Sequence, residues 1–110
     1  MTVRLRDAWR RWQLGRHGVR VELDVPIEYA GADRGAWALD PTDLNASSTV
    51  YSVGVGRHIG FDLWVVRRFG ATVHAFDPTP VAQQWIAAQT LPPEFRFYGI
   101  GLADFDGEQS

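Results

Sequence analysis

The stretch Thr49-Val50-Tyr51-Ser52-Val53-Gly54-Val55-Gly56 decides the fold of this chain. Its first five residues are rich in β-branched and aromatic side chains, which are typical of strands. The two glycines that follow allow the backbone to turn sharply and to approach a ligand closely. Residues 58–69 then carry apolar side chains at helical spacing, and Gly70 suits the end of a helix. We therefore predict a strand, a glycine turn and a helix, with Ile59, Leu63, Val66 and Phe69 on its inward face.

The same alternation continues along the chain. Residues 71–76 are again β-rich and end at Asp77. Thr79 can then cap a second helix that has Pro80 at its first position. We expect the inward face of that helix to carry Val81, Trp85 and Ala88.

A third strand is predicted over residues 95–101, because Pro92 and Pro93 end the second helix before it. Strand, helix, strand, helix and strand with short connections form a βαβαβ unit. The sheet of such a unit is parallel and its crossovers are right-handed. Asp106-Gly107 predicts a hairpin turn after the third strand.

This topology predicts a binding site, since ligands of open parallel sheets bind beyond the carboxyl ends of the strands. Gly54, Gly56, Asp77 and residues 101–104 should gather at that edge. The Asp77 carboxylate can accept hydrogen bonds from both hydroxyls of a ribose, and we expect it to lie outside the core. Residues 101–104 would border the base, which completes a slot for adenosine.

The residues after the first strand favour one nucleoside cofactor over another. A dinucleotide fingerprint needs a glycine or alanine where Ile59 stands. Arg57 and His58 are bulky where phosphate oxygens would meet backbone amides. S-adenosylmethionine has no phosphate, so the pattern favours it over NAD(P). We identify no catalytic residue, and we expect His58 to be a surface or capping residue.

Several motifs resemble the FkbM-type methyltransferases, also called the methyltransferase 24 group. They are residues 50–56, Phe61-Asp62-Leu63, Phe69-Gly70 and Phe76-Asp77-Pro78-Thr79-Pro80, preceded by Tyr29-Ala30-Gly31, Gly35-Ala36-Trp37 and Pro41-Thr42-Asp43-Leu44. The resemblance covers residues 27–107. It implies an α/β fold, the Rossmann-like βαβαβ half of a class I methyltransferase, with a parallel three-stranded core preceded by an N-terminal helix and strand.

The resemblance also implies which residues bind S-adenosylmethionine. Gly54 and Gly56 would lie against its methionine and ribose, Asp77 would bind the ribose hydroxyls, and residues 102–104 would lie near the adenine. Ser52 stands where class I methyltransferases generally have an acid. The implied cofactor-binding set is Ser52, Gly54, Val55, Gly56, Asp77, Pro78, Leu102 and Asp104. The methyl acceptor would be a hydroxyl group of a small molecule or sugar.

Residues 1–47 form a lead-in to this unit. Residues 3–14 predict a helix with Leu5, Trp9 and Trp12 on one side and arginines around the other, closed by glycines 15 and 18. One interpretation is a basic helix for an anionic membrane or nucleic acid. We favour the other, in which the tryptophans pack on the main body. Residues 19–25 alternate as a half-buried strand, and residues 31–45 indicate a loop interrupted by Trp37.

Residues 48–110 form the second part, a Rossmann-like domain that we expect to be partial, because the strands that would build the acceptor site are missing. Enzymatic activity of the chain alone is therefore left open. The first strand of the sheet would lack one neighbour, so we expect either self-association through that edge or its cover by the N-terminal segment.

Composition excludes several classes of protein. The chain of 110 residues has no cysteine, so disulfides and thiolate metal sites are excluded, and its three histidines lack the spacing of metal ligands. No apolar run could span a membrane and no secretion signal follows Met1, which favours the cytoplasm. No second basic cluster extends the N-terminal group of arginines, so the sequence does not indicate a nucleic-acid-binding protein.

Two alternatives remain: an NAD(P)-binding fragment of an oxidoreductase, and a non-catalytic remnant that binds a partner.

Overall fold

The computed structural model describes residues 3–18, 24–31 and 36–108. Three helices and five strands form in the order α1 (Val3–Arg16), β1 (Glu28–Ala30), β2 (Trp37–Leu39), β3 (Thr49–Val53), α2 (Gly60–Phe69), β4 (Thr72–Phe76), α3 (Pro80–Ala87) and β5 (Phe95–Tyr98). From β3 onward, strands and helices alternate as predicted.

Strands β3, β4 and β5 form a parallel sheet in that order, with β4 in the centre. The prediction of a parallel three-stranded α/β unit is confirmed. Helix α2 is shorter than predicted at its start: it begins at Gly60 rather than His58, because the amide of His58 donates to the carbonyl of Val55 in a turn. Gly70 ends α2 in the left-handed conformation, at a φ of 71°.

Both helices pack on one face of the sheet. The hydrophobic core combines Val65 and Val66 of α2, Ile86 of α3, Val73 and Ala75 of β4, and Phe95 of β5. The predicted inward face of α3 is wrong in two places, since Val81 is 59% exposed and Ala88 is exposed, while Ala82 and Ile86 are buried. The helix starts where predicted, at Pro80 after the Thr79 cap, but its buried side is turned by one residue, so that positions three and seven face the core rather than positions two and nine.

The opposite face of the sheet is aromatic and partly exposed. The rings of Phe76 and Tyr98 stack with centroids 5.0 Å apart, and the ring of Tyr51 stacks on that of His74 at 5.6 Å. The His74 Nδ1 and the Tyr98 hydroxyl are 2.9 Å apart, at hydrogen-bonding distance. These cross-strand contacts order the face.

Strands β1 and β2 form an antiparallel hairpin that sequence patterns did not predict. It falls within residues that we assigned to a lead-in and a loop. Arg68 at the end of α2 lies 3.4 Å from a carboxylate oxygen of Glu28, which connects the hairpin to α2. The connection from β2 to β3 has Asp43 in the left-handed conformation, at a φ of 68°.

The ends of the chain differ from the predictions. Helix α1 continues through Gly15 to Arg16, and Trp9 and Trp12 are 54% and 58% exposed, so the prediction that they pack on the main body is wrong. Most of the predicted strand over residues 19–25 lies outside the described residues, and residues 24–27 form no strand. No strand follows β5 up to residue 108, so the hairpin predicted at Asp106-Gly107 is not formed there.

Candidate functional site

The three parallel strands end side by side at one edge of the sheet. The amide of Gly54 donates to the carbonyl of Phe76 at 2.8 Å, and the amide of Asp77 donates to the carbonyl of Tyr98 at 3.2 Å. These bonds continue the ladder past the last strand residues, so each loop starts next to its neighbour. The prediction that Gly54, Asp77 and Gly101 share one sheet edge is confirmed.

Asp77 accepts hydrogen bonds from three donors at this edge. Its Oδ2 accepts from the amide of Gly56 at 2.8 Å, and its Oδ1 accepts from the amide and the hydroxyl of Thr79 at 2.9 and 2.6 Å. The hydroxyl bond is the main reason that the pKa of Asp77 lies below its ordinary value, because it stabilises the charged form. Asp77 thus connects the glycine loop to the start of α3.

The burial of Asp77 corrects an expectation from the sequence. The residue is only 5% exposed, so the prediction that its carboxylate lies outside the core is wrong. The donors of two neighbouring loops close over it and replace its water. A carboxylate offers about four acceptor positions, and three of them are taken here. The one that remains is on Oδ2, beside the glycine loop.

The backbone conformation of the glycine loop requires glycine at two positions. Gly54 and Gly56 have φ angles of 73° and 55°, a region that other residues rarely adopt. A Cβ on either residue would meet no heavy atom within 4 Å, so the space in front of the loop is open. Val55, between the two glycines, is 6% exposed and packs in the hydrophobic core. This packing holds the loop in place.

A cleft of about 560 Å³ opens at Pro78, the residue after Asp77, whereas Gly54, Gly56 and Asp77 do not line it. Its volume is in the range of small-molecule sites. It is lined mainly by the segment after β5, with Pro78 on the other side: Pro78, Gly99, Ile100, Gly101, Leu102, Ala103, Phe105, Gly107 and Glu108. The predicted residues Pro78 and Leu102 are therefore brought together, whereas Asp104 is exposed and does not line the cleft.

Gly101 has a local reason to be glycine. A Cβ built on it would lie 3.3 Å from Cγ of Pro78, which is a tight contact. A larger residue would therefore push the two walls of the cleft apart.

No family model, curated protein or solved structure matches the chain. Within residues 3–18, 24–31 and 36–108, no group of three histidine, aspartate or glutamate side chains could hold a metal ion. None of the helices in those ranges combines the length and apolar character that a bilayer crossing demands. The candidate site thus consists of backbone amides, one carboxylate and an open cleft.

Asp62 is a buried acid that our sequence analysis did not single out as a site residue. It is 2% exposed, its Oδ1 has no hydrogen-bond partner among the described residues, and the hydroxyl of Ser52 favours the charged form of its carboxylate. Burial raises the pKa of Asp62, and the bond from Ser52 offsets part of that rise. Ser52, predicted as a cofactor contact, thus faces α2. Helical spacing could have indicated that Asp62 is buried, because it lies three residues after Ile59 and four before Val66, on the same side of the helix.

Replacing Asp62 by asparagine should make stability less dependent on pH. A carboxyl whose pKa is raised by folding stabilises the fold below its unfolded pKa of about 3.9, and this contribution is lost as pH rises through the folded pKa. Asp62→Asn keeps the shape and carries no charge. At pH 7 we expect it to be as stable as the parent or up to about 2 kcal/mol more stable, as measured by urea unfolding at pH 4 and pH 7.

A matched control uses the partner of Asp62. Ser52→Ala removes the bond that supports the charged form, so it should destabilise the parent at pH 7 and have a smaller effect in the Asp62→Asn background. Equal effects of Ser52→Ala in both backgrounds would contradict the pairing.

Proposed function

We propose that this sheet edge binds the nucleoside part of S-adenosylmethionine, and that the chain supplies the Rossmann-like, cofactor-binding part of a methyltransferase. The observation that carries the proposal is the 2.8 Å bond between the Gly56 amide and Asp77 Oδ2. It joins the glycine loop to the acid after the second parallel strand, and Pro78, which follows that acid, lines the cleft. A ribose at this point could donate to the remaining acceptor position of Asp77.

Two hydrogen bonds weigh against a dinucleotide. A pyrophosphate binds to free backbone amides of the glycine loop and the following helix. Here the amide of Gly56 already donates to Asp77, and the amide of His58 donates to the carbonyl of Val55. S-adenosylmethionine has no phosphate, so it needs neither amide.

The chemistry of the proposal depends mainly on position. S-adenosylmethionine supplies an electrophilic methyl group on a sulfonium, and the acceptor in this proposal is a hydroxyl oxygen of a small molecule or sugar. Holding two reactants in line accelerates such a transfer without a catalytic side chain of special reactivity. The contributions of this chain are the rigid glycine loop, the hydrogen-bonded Asp77 and the apolar wall at Leu102.

Thermal-shift measurements on the full chain test the proposal. S-adenosylmethionine and S-adenosylhomocysteine should each raise the melting temperature in a saturable way, whereas NADH should not, because ligands stabilise the state that they bind. Leu102→Ala should weaken the binding of S-adenosylhomocysteine by about 3- to 10-fold, through loss of apolar contact in the cleft. Leu14→Ala, which changes an exposed leucine in α1, is the matched control and should leave affinity unchanged.

Stabilisation by NADH alone would replace this proposal with the oxidoreductase alternative. Stabilisation by none of the three ligands would contradict a nucleoside site altogether.

A further inference from the structure

Helix α1 exposes an unusual set of side chains. From Leu5 to His17, every side chain that the structure describes is exposed, including Leu5 at 60% and the two tryptophans at more than half. Large apolar side chains in water carry a free-energy cost unless something covers them. A basic helix with two exposed tryptophans therefore points to a surface that receives it.

Four apolar residues of α1 share one side of the helix, and Leu14 lies on the other side. At about 100° per residue, Leu5, Ala8, Trp9 and Trp12 fall within a stripe about 100° wide. Arg6 and Arg11 flank that stripe on its two sides, and Arg10 lies nearly opposite it. Arg16 falls within the stripe, and its guanidinium lies 5.1 Å from the ring centre of Trp12. Arginine side chains in such positions can reach from an apolar layer to a polar one.

The charge of the chain is divided sharply at this helix. The first eighteen residues contain five arginines and one acid, whereas the remainder contains six arginines and twelve acids. The net negative charge of the remainder disfavours an extended polyanion such as nucleic acid as the partner of the whole chain. A flat anionic surface can receive the helix alone, and tryptophan with arginine is the composition of helices that lie in a membrane interface.

We propose that α1 binds to the surface of membranes that contain anionic lipids, with Trp9 and Trp12 in the headgroup layer and the arginines at the lipid phosphates. The chain would then be held at a membrane without crossing it. This inference does not depend on the proposed cofactor, because α1 contributes no residue to the cleft.

Flotation of the full chain with lipid vesicles tests the proposal. We expect binding to vesicles of phosphatidylcholine with phosphatidylglycerol, and at least about tenfold weaker binding to pure phosphatidylcholine, because each basic residue near an anionic surface adds to the attraction. Binding should weaken further in 0.5 M salt, which screens that attraction.

Variants assign the binding to the helix. Trp9→Ala with Trp12→Ala should reduce vesicle binding at least about tenfold, since interfacial binding scales with buried apolar area. Arg6→Gln with Arg11→Gln should reduce it about 30-fold on anionic vesicles only. Trp37→Ala is the matched control, because Trp37 is 67% exposed but lies in the hairpin, and it should not change binding. Circular dichroism should show the variants folded, since the changed side chains are exposed.

Two outcomes would overturn the proposal. The first is no binding to anionic vesicles, and the second is binding that survives loss of both tryptophans. If the first outcome comes with a tryptophan-dependent complex with duplex DNA, or with a second copy of the chain, that complex replaces the membrane as the partner of α1.

Discussion

Replacing Asp77 by asparagine should lower the free energy of unfolding by about 2–4 kcal/mol. The residue accepts three hydrogen bonds while almost fully buried, and bonds to a charged acceptor are worth more than neutral ones. The asparagine side chain has one acceptor oxygen, so at least one of the donors at Gly56 and Thr79 loses its partner. Urea unfolding at pH 7 measures the change.

The chain carries its own control for this experiment. Asp40-Pro41-Thr42 repeats the local pattern of Asp77-Pro78-Thr79, and the amide of Thr42 donates to Asp40 Oδ1 at 2.9 Å. Asp40 is exposed, and within the part of the chain that the structure describes no hydrogen bond joins it to a distant loop. Asp40→Asn should therefore cost less than about 0.5 kcal/mol. Equal losses at the two positions would show that the bond to Gly56 contributes nothing.

The free energy of unfolding should depend differently on pH in the parent and in Asp77→Asn, and the difference should appear in the acid range. Folding lowers the pKa of Asp77, so its stabilising contribution is complete above the unfolded pKa of about 3.9 and is lost as pH falls through the folded value. The parent should lose stability below pH 4 more steeply than Asp77→Asn does. If the nucleoside site is where we propose, the variant should also bind S-adenosylhomocysteine about 10- to 100-fold more weakly, when both proteins are compared at a temperature at which they are folded.

The free edge of β3 should cause concentration-dependent self-association. In the described residues, β3 pairs with β4 alone, and its Tyr51 and Val53 are 69% and 56% exposed. Unpaired strand edges beside apolar side chains favour the addition of another strand. Helix α1, one of the two N-terminal segments expected to cover this edge, is exposed, and most of the other, residues 19–25, lies outside the described residues.

Charged substitutions at this edge provide the measurement. Tyr51→Lys with Val53→Lys should reduce the association constant by a factor of about ten or more in sedimentation velocity experiments, because like charges would meet across the new interface. Val81→Lys, at an exposed position on α3, is the control and should have no effect. A parent chain that remains monomeric up to millimolar concentration would contradict the expectation.

The sequence predicted the parallel unit because each of its signals is local. The strand residues, Gly70, the Thr79 cap and the paired prolines act within a few positions of themselves, and all of them agree. The same signals predicted that Gly54 and Asp77 meet. They missed the β1–β2 hairpin, because three-residue strands are too short to show a period of two.

Properties that depend on distant partners were harder to predict. The sequence predicts Asp77 outside the core. Its burial depends on the amide of Gly56, which is twenty-one residues away, and a local pattern does not reveal that contact. The partner of Asp62 is the hydroxyl of Ser52, which lies on a different element. The exposure of Trp9 and Trp12 could not be read from their spacing, because an apolar stripe indicates that a helix has a receiving surface but not which surface that is.

The bond between Gly56 and Asp77 has a consequence for motion at this edge. Protein segments that share hydrogen bonds open together, as cooperative units with a common free energy of opening. The glycine loop cannot leave its position without releasing Asp77, and Asp77 also holds the first residues of α3 through Thr79. The glycine loop and the start of α3 therefore form one unit of local unfolding. A molecule that binds to either segment should raise the free energy of opening of both.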